Sequence, residues 1–245
     1  MRFTILLLII FSNYTHVEAQ ETTSFPAMDG LEVTADLYIT NAESAPLIVL
    51  FHQAGWSRGE YREIAPKLNQ MGFNCIAVDQ RSGKEVNGVA NQTFMAAESN
   101  GINTTFIAAI NDIEAGINFA KNVYSAKSII IWGSSYSSSL VLKYAGDNPN
   151  SVDGVLAFSP GEYFKEKPVD FVQTSAAKIE IPVFITSSKA ERSSWEDIFE
   201  AIPTDNKTSY IPRSAGHHGS RALWEANKGN EGYWKAATKF LDQFK

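Results

Sequence analysis

Five short runs of the chain are almost entirely apolar, and they alternate with longer stretches in which apolar residues recur at helical spacing. The runs lack the polar alternation of a strand with one exposed face. This is typical of central strands in a parallel sheet that is covered on both sides. They occupy residues 47–51, 75–78, 128–132, 155–158 and 181–185. The pattern therefore predicts an α/β protein with a mostly parallel central sheet and helices on both faces.

A sixth segment, residues 31–40, has a different pattern, because apolar and polar residues alternate along it. Leu31, Val33, Ala35 and Leu37 fall on one side of an extended chain. Such alternation is typical of a strand with one buried and one more exposed face. We therefore place this segment near an antiparallel edge of the sheet.

Apolar residues at spacings of three and four predict three helices. The stripes run from Tyr61 to Leu68, from Phe106 to Ala120 and from Tyr233 to Phe244. Gly72 is placed to end the first helix. The polar segment 80–101 is too long for a bare connection, and we expect it to lie over one end of the sheet.

The N-terminus has the three parts of a secretory signal: a basic start at Arg2, an apolar core over residues 3–11 and a small-residue cleavage site ending at Ala19. This core is too short for a membrane-spanning helix, which needs about 20 apolar residues. We therefore predict a signal peptide over residues 1–19, a single domain over residues 20–245, and a secreted or periplasmic protein without stable membrane insertion.

Composition narrows the choice of partners. The net charge of −6 and the charged fraction of 20% are ordinary, and no run of Lys or Arg suggests a nucleic-acid partner. Cys75 is the only cysteine, so an internal disulfide is excluded. The oligomeric state is not set by these features.

A candidate nucleophile lies where the apolar run 128–132 meets a helical pattern through a turn of small residues. A strained turn of this kind raises a serine hydroxyl above the sheet, and it needs small residues two before and two after the serine. Ser135 has Gly133 and Ser137 at those positions. Ser134 has a tryptophan and a tyrosine there, and both would clash. Sterics therefore select Ser135.

The sequence Gly133-x-Ser135-x-Ser137 between a strand and a helix resembles the Gly-x-Ser-x-Gly signature of the α/β-hydrolase family. Ser137 stands where the family usually has glycine. The resemblance covers essentially the whole mature chain and is nearest to the small, dienelactone-hydrolase-like members. It implies a serine hydrolase whose acid and histidine follow the nucleophile in the chain. Residues 158–181 are too few for a lid domain, which implies an open site.

The resemblance places the acid after the next-to-last strand and the histidine before the last helix. Glu191 occupies the acid position, and Glu162, which follows the preceding strand, is the alternative. His217 and His218 share the loop before the last helix. His218 is the preferred base because Gly219 follows it and leaves room for the imidazole. His217 remains the alternative.

Residues 52–56, His-Gln-Ala-Gly-Trp, are similar to the family loop that offers a backbone N–H to an oxyanion. By position, the two donors would be the N–H groups of Ala54 and Tyr136. Gln53 stands where the family usually has glycine, which leaves open which N–H of the loop faces inward. His52 is interpreted as a residue that orients the loop rather than as a base.

These residues together predict a carboxylesterase that hydrolyses small or soluble esters through an acyl-enzyme on Ser135, with Glu191 and His218. A serine peptidase with the same triad and a catalytically silent binding protein are the alternatives. No cofactor is expected, because the dinucleotide and phosphate-loop patterns are missing. No metal is expected either, since adjacent loop histidines lack the usual ligand set.

Overall fold

A computed structural model describes residues 21–245 of the protein. The predicted signal peptide, residues 1–19, lies outside the described residues. The strands are β1 (Glu21–Pro26), β2 (Glu32–Tyr38), β3 (Leu47–Phe51), β4 (Asn74–Val78), β5 (Glu85–Val86), β6 (Val89–Ala90), β7 (Ile129–Ser134), β8 (Gly154–Phe158), β9 (Val183–Thr186) and β10 (Lys207–Tyr210). β5 and β6 form a separate hairpin, and the other eight strands form one sheet.

The order across the large sheet is β1-β2-β4-β3-β7-β8-β9-β10. β2 pairs antiparallel with both β1 and β4, and every other pair in the sheet is parallel. The prediction of a mostly parallel sheet with an antiparallel edge is therefore confirmed. The sequence pattern did not predict β1, because Phe25 is its only buried residue and an edge strand needs few apolar positions.

The helices are α1 (Ile64–Gln70), α2 (Gln92–Ser99), α3 (Ile110–Val123), α4 (Tyr136–Asp147), α5 (Phe171–Ala176), α6 (Glu196–Ala201) and α7 (Asn230–Leu241). The three predicted helices correspond to α1, α3 and α7. The first begins as a 3₁₀ turn over Arg58–Tyr61, and Gly72 follows its end with φ of +95°. The polar segment 80–101 contains the β5–β6 hairpin and α2.

Two hydrophobic clusters cover the two faces of the sheet. Alternate residues of β3 belong to different clusters: Ile48 and Leu50 pack with residues of α1 and α7, whereas Val49 packs with residues of α3 and α4. A strand buried on both faces must be apolar at every position, and this accounts for the continuous runs in the sequence. Helices on both faces, as predicted, are therefore confirmed.

The connection from β8 to β9 contains only the six-residue helix α5, and no lid domain is evident there. The parallel strands β3, β7, β8 and β9 all end at the same edge of the sheet. In α/β folds the loops at this edge form the usual binding site. Within residues 21–245, no helix has the length and apolar character needed to cross a membrane.

Candidate active site

Ser135 lies at the tip of a strained turn between β7 and α4. Its backbone has φ of +59° and ψ of −126°, a conformation that costs a non-glycine residue about 1–3 kcal/mol. At Gly133, a Cβ atom would lie 2.5 Å from both the Ser137 carbonyl oxygen and the Ser138 nitrogen. Only glycine fits at that position. The Ser135 side chain makes no helix-capping hydrogen bond, so its hydroxyl is available to another partner.

Ser137, which replaces the family's usual glycine, fits the turn and braces it. Its hydroxyl oxygen accepts the Ser134 N–H at 2.8 Å. The same hydroxyl lies 2.8 Å from the Phe51 carbonyl oxygen, to which it can donate. Glycine could form neither bond. The departure from the signature therefore joins the elbow to the end of β3.

The His218 imidazole bridges Ser135 and Glu191. His218 Nε2 lies 2.8 Å from Ser135 Oγ, and His218 Nδ1 is hydrogen-bonded to Glu191 Oε1. In the tautomer whose proton is on Nδ1, the Nδ1–H donates a hydrogen bond to the carboxylate. Nε2 is then unprotonated and can accept a hydrogen bond from the serine hydroxyl. Both the imidazole and the carboxylate are partly exposed, at 32% and 25% of their side-chain surface. The structure therefore brings together the three residues that the sequence singled out, in the geometry of nucleophile, base and acid.

Glu191 is held by several donors. Its Oε2 accepts the Ser188 N–H at 3.1 Å and the Ser188 hydroxyl at 2.7 Å. Partial burial by itself would raise the pKa of Glu191, but the hydrogen bonds from His218 and Ser188 outweigh burial and lower the pKa to about 2. The carboxylate is therefore ionised at neutral pH.

Ser159, which follows β8, connects Glu191 to the loop that carries His218. Its hydroxyl donates to Glu191 Oε2 at 3.1 Å and accepts the Gly219 N–H at 2.9 Å. Its φ of +58° is unusual for serine and turns the chain sharply at the strand end. Sequence reasoning missed this residue, because nothing in its neighbourhood marks a contact with a loop 60 residues away.

The two alternatives from the sequence lie elsewhere. Glu162 accepts the backbone N–H groups of Val172 and Gln173, both at 2.9 Å, at the start of α5. The backbone N–H of His217 donates to the Tyr233 hydroxyl at 3.3 Å, and its side chain has no hydrogen-bond partner within residues 21–245. Neither side chain is hydrogen-bonded to Ser135.

The loop after β3 leaves one N–H group free at the predicted position. The Gln53 N–H donates to Glu60 Oε2 at 2.8 Å and is therefore not available to an oxyanion. In the described part of the chain, the N–H groups of Ala54 and Tyr136 donate to no protein acceptor. Tyr136 is the first residue of α4, where helix N–H groups are expected to be unpaired. Ala54 and Tyr136 are therefore able to donate to a ligand.

His52 is fully buried and orients this loop. Its Nδ1–H donates to the Gln53 carbonyl oxygen at 2.8 Å, and its Nε2 accepts the Gln80 N–H at 2.8 Å. Burial lowers the pKa of His52 to about 4, so the ring is neutral. Both ring nitrogens are occupied by backbone groups, which leaves none for proton transfer.

Sequence reasoning also missed Glu60, a fully buried carboxylic acid. Ser134 Oγ donates to Glu60 Oε1 at 2.7 Å, and the Ser220 N–H donates to Ser134 Oγ at 2.8 Å. Burial raises the pKa of Glu60 to about 7 despite these donors. One signal was available, since Glu60 precedes Ile64 by four residues and therefore lies on the apolar stripe that becomes α1.

Other reactive groups do not reach the site. Among residues 21–245 there is no group of three or more His, Cys, Asp or Glu side chains that could hold a metal ion. Cys75 is buried in β4, and burial raises the pKa of its thiol. It is part of the core.

The family model described as serine aminopeptidase, S33, matches residues 42–188. This span is more than half of the chain and contains both the loop after β3, residues 52–56, and the elbow at Ser135. The protein is a member of the S33 family of α/β-hydrolases. The predicted resemblance is therefore confirmed, and membership in S33 makes the protein a hydrolase by family.

Solved structures of similar fold include an esterase from Pyrococcus furiosus, with 16% identity, a TM-score of 0.70, and coverage of 91% of this chain and 90% of that one. A dienelactone hydrolase from Anabaena variabilis has 14% identity, a TM-score of 0.67, and coverage of 91% and 96%. Est1E from Butyrivibrio proteoclasticus, solved with ferulic acid, has 15% identity, a TM-score of 0.69, and coverage of 90% and 98%. At these identities the likeness establishes the fold alone. No curated protein sequence matches this member of the S33 family.

Proposed function

We propose that this S33-family protein hydrolyses small or water-soluble carboxylic esters through an acyl-enzyme on Ser135. The observation that carries the proposal is the chain of contacts from Ser135 Oγ to His218 Nε2, at 2.8 Å, and from His218 Nδ1 to Glu191. A nucleophile within hydrogen-bond reach of a base, which is itself oriented by a carboxylate, is the arrangement that acyl transfer requires.

In the proposed mechanism, His218 Nε2 removes the hydroxyl proton as Ser135 Oγ attacks the carbonyl carbon. The N–H groups of Ala54 and Tyr136 hold the oxyanion that forms. His218 then donates its proton to the leaving alkoxide, and the C–O bond breaks to give the acyl-enzyme. Water repeats the attack with the same base, which releases the acid and restores Ser135. The ionised Glu191 stabilises the imidazolium in both steps.

Two features support an ester of modest size. The connection between β8 and β9 contains no lid domain, so nothing in it would cover a long acyl chain. The solved neighbours include proteins described as an esterase and as a dienelactone hydrolase, and one that was solved with bound ferulic acid. These descriptions belong to the neighbours, and they support an ester substrate for this chain only by analogy.

The second candidate function is that of a serine peptidase, and the description of the family as serine aminopeptidases favours it. Both reactions would use the same three side chains. They differ in the leaving group, because an amine leaves less readily than an alkoxide and depends more on protonation by the histidine.

Two measurements test these proposals together. The first is labelling with a fluorophosphonate, which we expect to modify Ser135 and to be lost in Ser135→Ala. The second compares p-nitrophenyl acetate with aminoacyl p-nitroanilides, and we expect turnover of the ester only. Absence of labelling would indicate a silent binding protein. Faster release of nitroaniline than of nitrophenol would indicate a peptidase.

We also propose that the chain is exported and that residues 1–19 are removed. The basic start, apolar core and small-residue site in the sequence support this. Expression of the full chain in a bacterial host should yield exported protein that begins near Gln20. Recovery of cytosolic protein that retains residues 1–19 would contradict export.

A further inference from the structure

Glu60 is a buried acid that lacks a cationic partner. Its side chain is fully inaccessible to solvent, and none of the ion pairs within residues 21–245 includes it. Its two carboxyl oxygens have different partners, the Gln53 N–H at 2.8 Å and the Ser134 hydroxyl at 2.7 Å. An acid buried without a cation is costly, and such a group beside a cleft is a candidate for a functional role.

Glu60 connects three segments of the chain, two of them directly and the third through Ser134. Gln53 immediately precedes Ala54 in the loop after β3. Ser134 immediately precedes Ser135 in the elbow, and its hydroxyl in turn accepts the N–H of Ser220 at 2.8 Å. Ser220 lies two residues after His218. The carboxyl group is therefore the common point of a network that comes within two residues of Ala54, Ser135 and His218.

We propose that Glu60 is a positioning residue that fixes three segments relative to one another: the loop after β3 (residues 52–56), the elbow at Ser135, and the segment that carries His218 and Ser220. This inference rests on the proposed function of Ser135, Glu191 and His218. Glu60 touches none of the reacting atoms and would act through Gln53 and Ser134. A displacement of about 1 Å between reacting groups can lower a rate about 100-fold, so a bond that sets loop spacing affects turnover strongly.

The network requires two acceptors at Glu60. The Gln53 N–H can only donate. The Ser134 oxygen already accepts from Ser220, and its own hydrogen needs an acceptor, which Glu60 Oε1 supplies. Glutamine has the same shape but offers one acceptor and one donor. Protonation of the carboxyl group has the same effect, because it turns one of the two oxygens into a donor.

The charged and titratable groups around Glu60 come from three elements. His218 and Arg221, in the segment with Ser220, favour the carboxylate, whereas burial disfavours it more strongly. Burial, with a smaller contribution from the charge of Glu60, raises the pKa of Tyr61, next in the chain, and of Tyr136, at the start of α4, so both stay neutral. The raised pKa of Glu60, about 7, means that both forms are populated near neutral pH. The two-acceptor state is then gained as pH rises through that value.

The test measures the second-order rate constant for fluorophosphonate labelling of Ser135 between pH 5 and pH 9. The variants are Glu60→Gln and, as a matched control, Glu162→Gln, whose carboxylate also accepts backbone N–H groups but lies at α5. We expect Glu60→Gln to label about 10- to 100-fold more slowly than the wild type and Glu162→Gln to label at the wild-type rate. On a logarithmic plot the acid limb should be steeper in the wild type than in Glu60→Gln, because protonation of Glu60 removes an acceptor only in the wild type.

A merely structural role for Glu60 would lower the fraction of labelled protein without changing the rate constant or the slope of the acid limb. That result, or a wild-type rate in Glu60→Gln, would overturn the inference and leave the proposed function intact. Failure of the wild type to label would instead overturn the proposed function, and this inference with it. If Glu60→Gln does not fold, Ser134→Ala removes the link to Ser220 and should label about tenfold more slowly. An unchanged rate in that variant would also overturn the inference.

Discussion

Ser134 and Ser135 are adjacent in the chain, but their hydroxyl groups have entirely different partners. Ser135 Oγ lies 2.8 Å from the His218 imidazole, whereas Ser134 Oγ donates to the buried Glu60 at 2.7 Å. The positive φ of Ser135 separates the two environments, because it reverses the chain between the end of β7 and the start of α4. One serine is therefore placed to react and the other to hold the turn.

This relationship predicts unequal losses on substitution. Ser135→Ala should abolish hydrolysis of p-nitrophenyl acetate, since loss of a triad serine lowers turnover by about a million-fold in a well-studied protease. Ser134→Ala should lower turnover only about tenfold, because the nucleophile remains while one brace is lost. The measurement is kcat for both variants, with protein concentration fixed by absorbance. Equal losses would mean that the nucleophile has been misassigned.

The acid is tested by two glutamine substitutions. Glu191→Gln should lower kcat by at least about 100-fold while the melting temperature changes little, because the amide occupies the same space but cannot stabilise the imidazolium. Glu162→Gln should leave kcat near the wild-type value, since its carboxylate caps α5. A mild effect of Glu191→Gln combined with a strong effect of Glu162→Gln would move the acid to the preceding strand.

Much of this arrangement follows from local features of the sequence. The continuous apolar runs predict the parallel strands, because both faces of those strands are buried. The elbow could be assigned to Ser135 rather than Ser134 on size alone, and the contacts of a Cβ atom at Gly133 give the physical reason. Chain order after the nucleophile then limited the acid and the base to two residues each.

The supporting contacts could not be predicted, because they join residues that are distant in the chain. Glu60 meets Ser134 across 74 residues, and Ser159 meets Gly219 across 60. Neither pair leaves a periodic signal. The choice of Ala54 as the donor depends on the same network, since the Gln53 N–H is occupied by Glu60. Local motifs indicate which side chains react, whereas the distances between those side chains are fixed by contacts between segments that are far apart in the chain.

The open site predicts a preference for short acyl chains. Turnover of p-nitrophenyl esters should be highest from acetate to butyrate and should fall for longer chains, since the β8–β9 connection has no lid domain to shield a long acyl chain. Addition of a lipid–water interface should not raise the rate. Rates that increase from four-carbon to sixteen-carbon esters would contradict this account of the site.

The histidine pair predicts different pH profiles. His218→Ala should lose nearly all activity on an aryl acetate, together with the acid limb that a general base imposes on the pH–rate profile. His217→Ala should keep that limb, because the His217 side chain has no hydrogen bond within residues 21–245 and His218 still contacts Ser135. Loss of the limb in His217→Ala alone would assign the base to His217.

The buried acid at Glu60 predicts how stability depends on pH. Its pKa is raised from an ordinary value of 4.5 to about 7 by burial. Between these values the unfolded chain has lost the proton and the folded chain still binds it. The free energy of unfolding therefore falls as pH rises through this window and becomes level above about 7. Glutamine stays neutral throughout and removes this contribution.

We therefore expect the wild type to lose stability relative to Glu60→Gln between pH 5 and pH 8, by on the order of 3 kcal/mol, the free-energy equivalent of the shift in pKa. Urea denaturation of both proteins at several pH values measures this difference. Glu191 makes an opposite contribution, because its pKa is lowered from 4.5 to about 2 in the folded protein. This contribution stabilises the folded protein above pH 4.5 and is lost as the pH falls toward about 2. Both proteins contain Glu191, so its contribution cancels when they are compared. A difference that stays constant with pH would show that Glu60 is ionised in the folded protein throughout this range, and a steeper acid limb for Ser135 labelling in the wild type would then have to arise from another group.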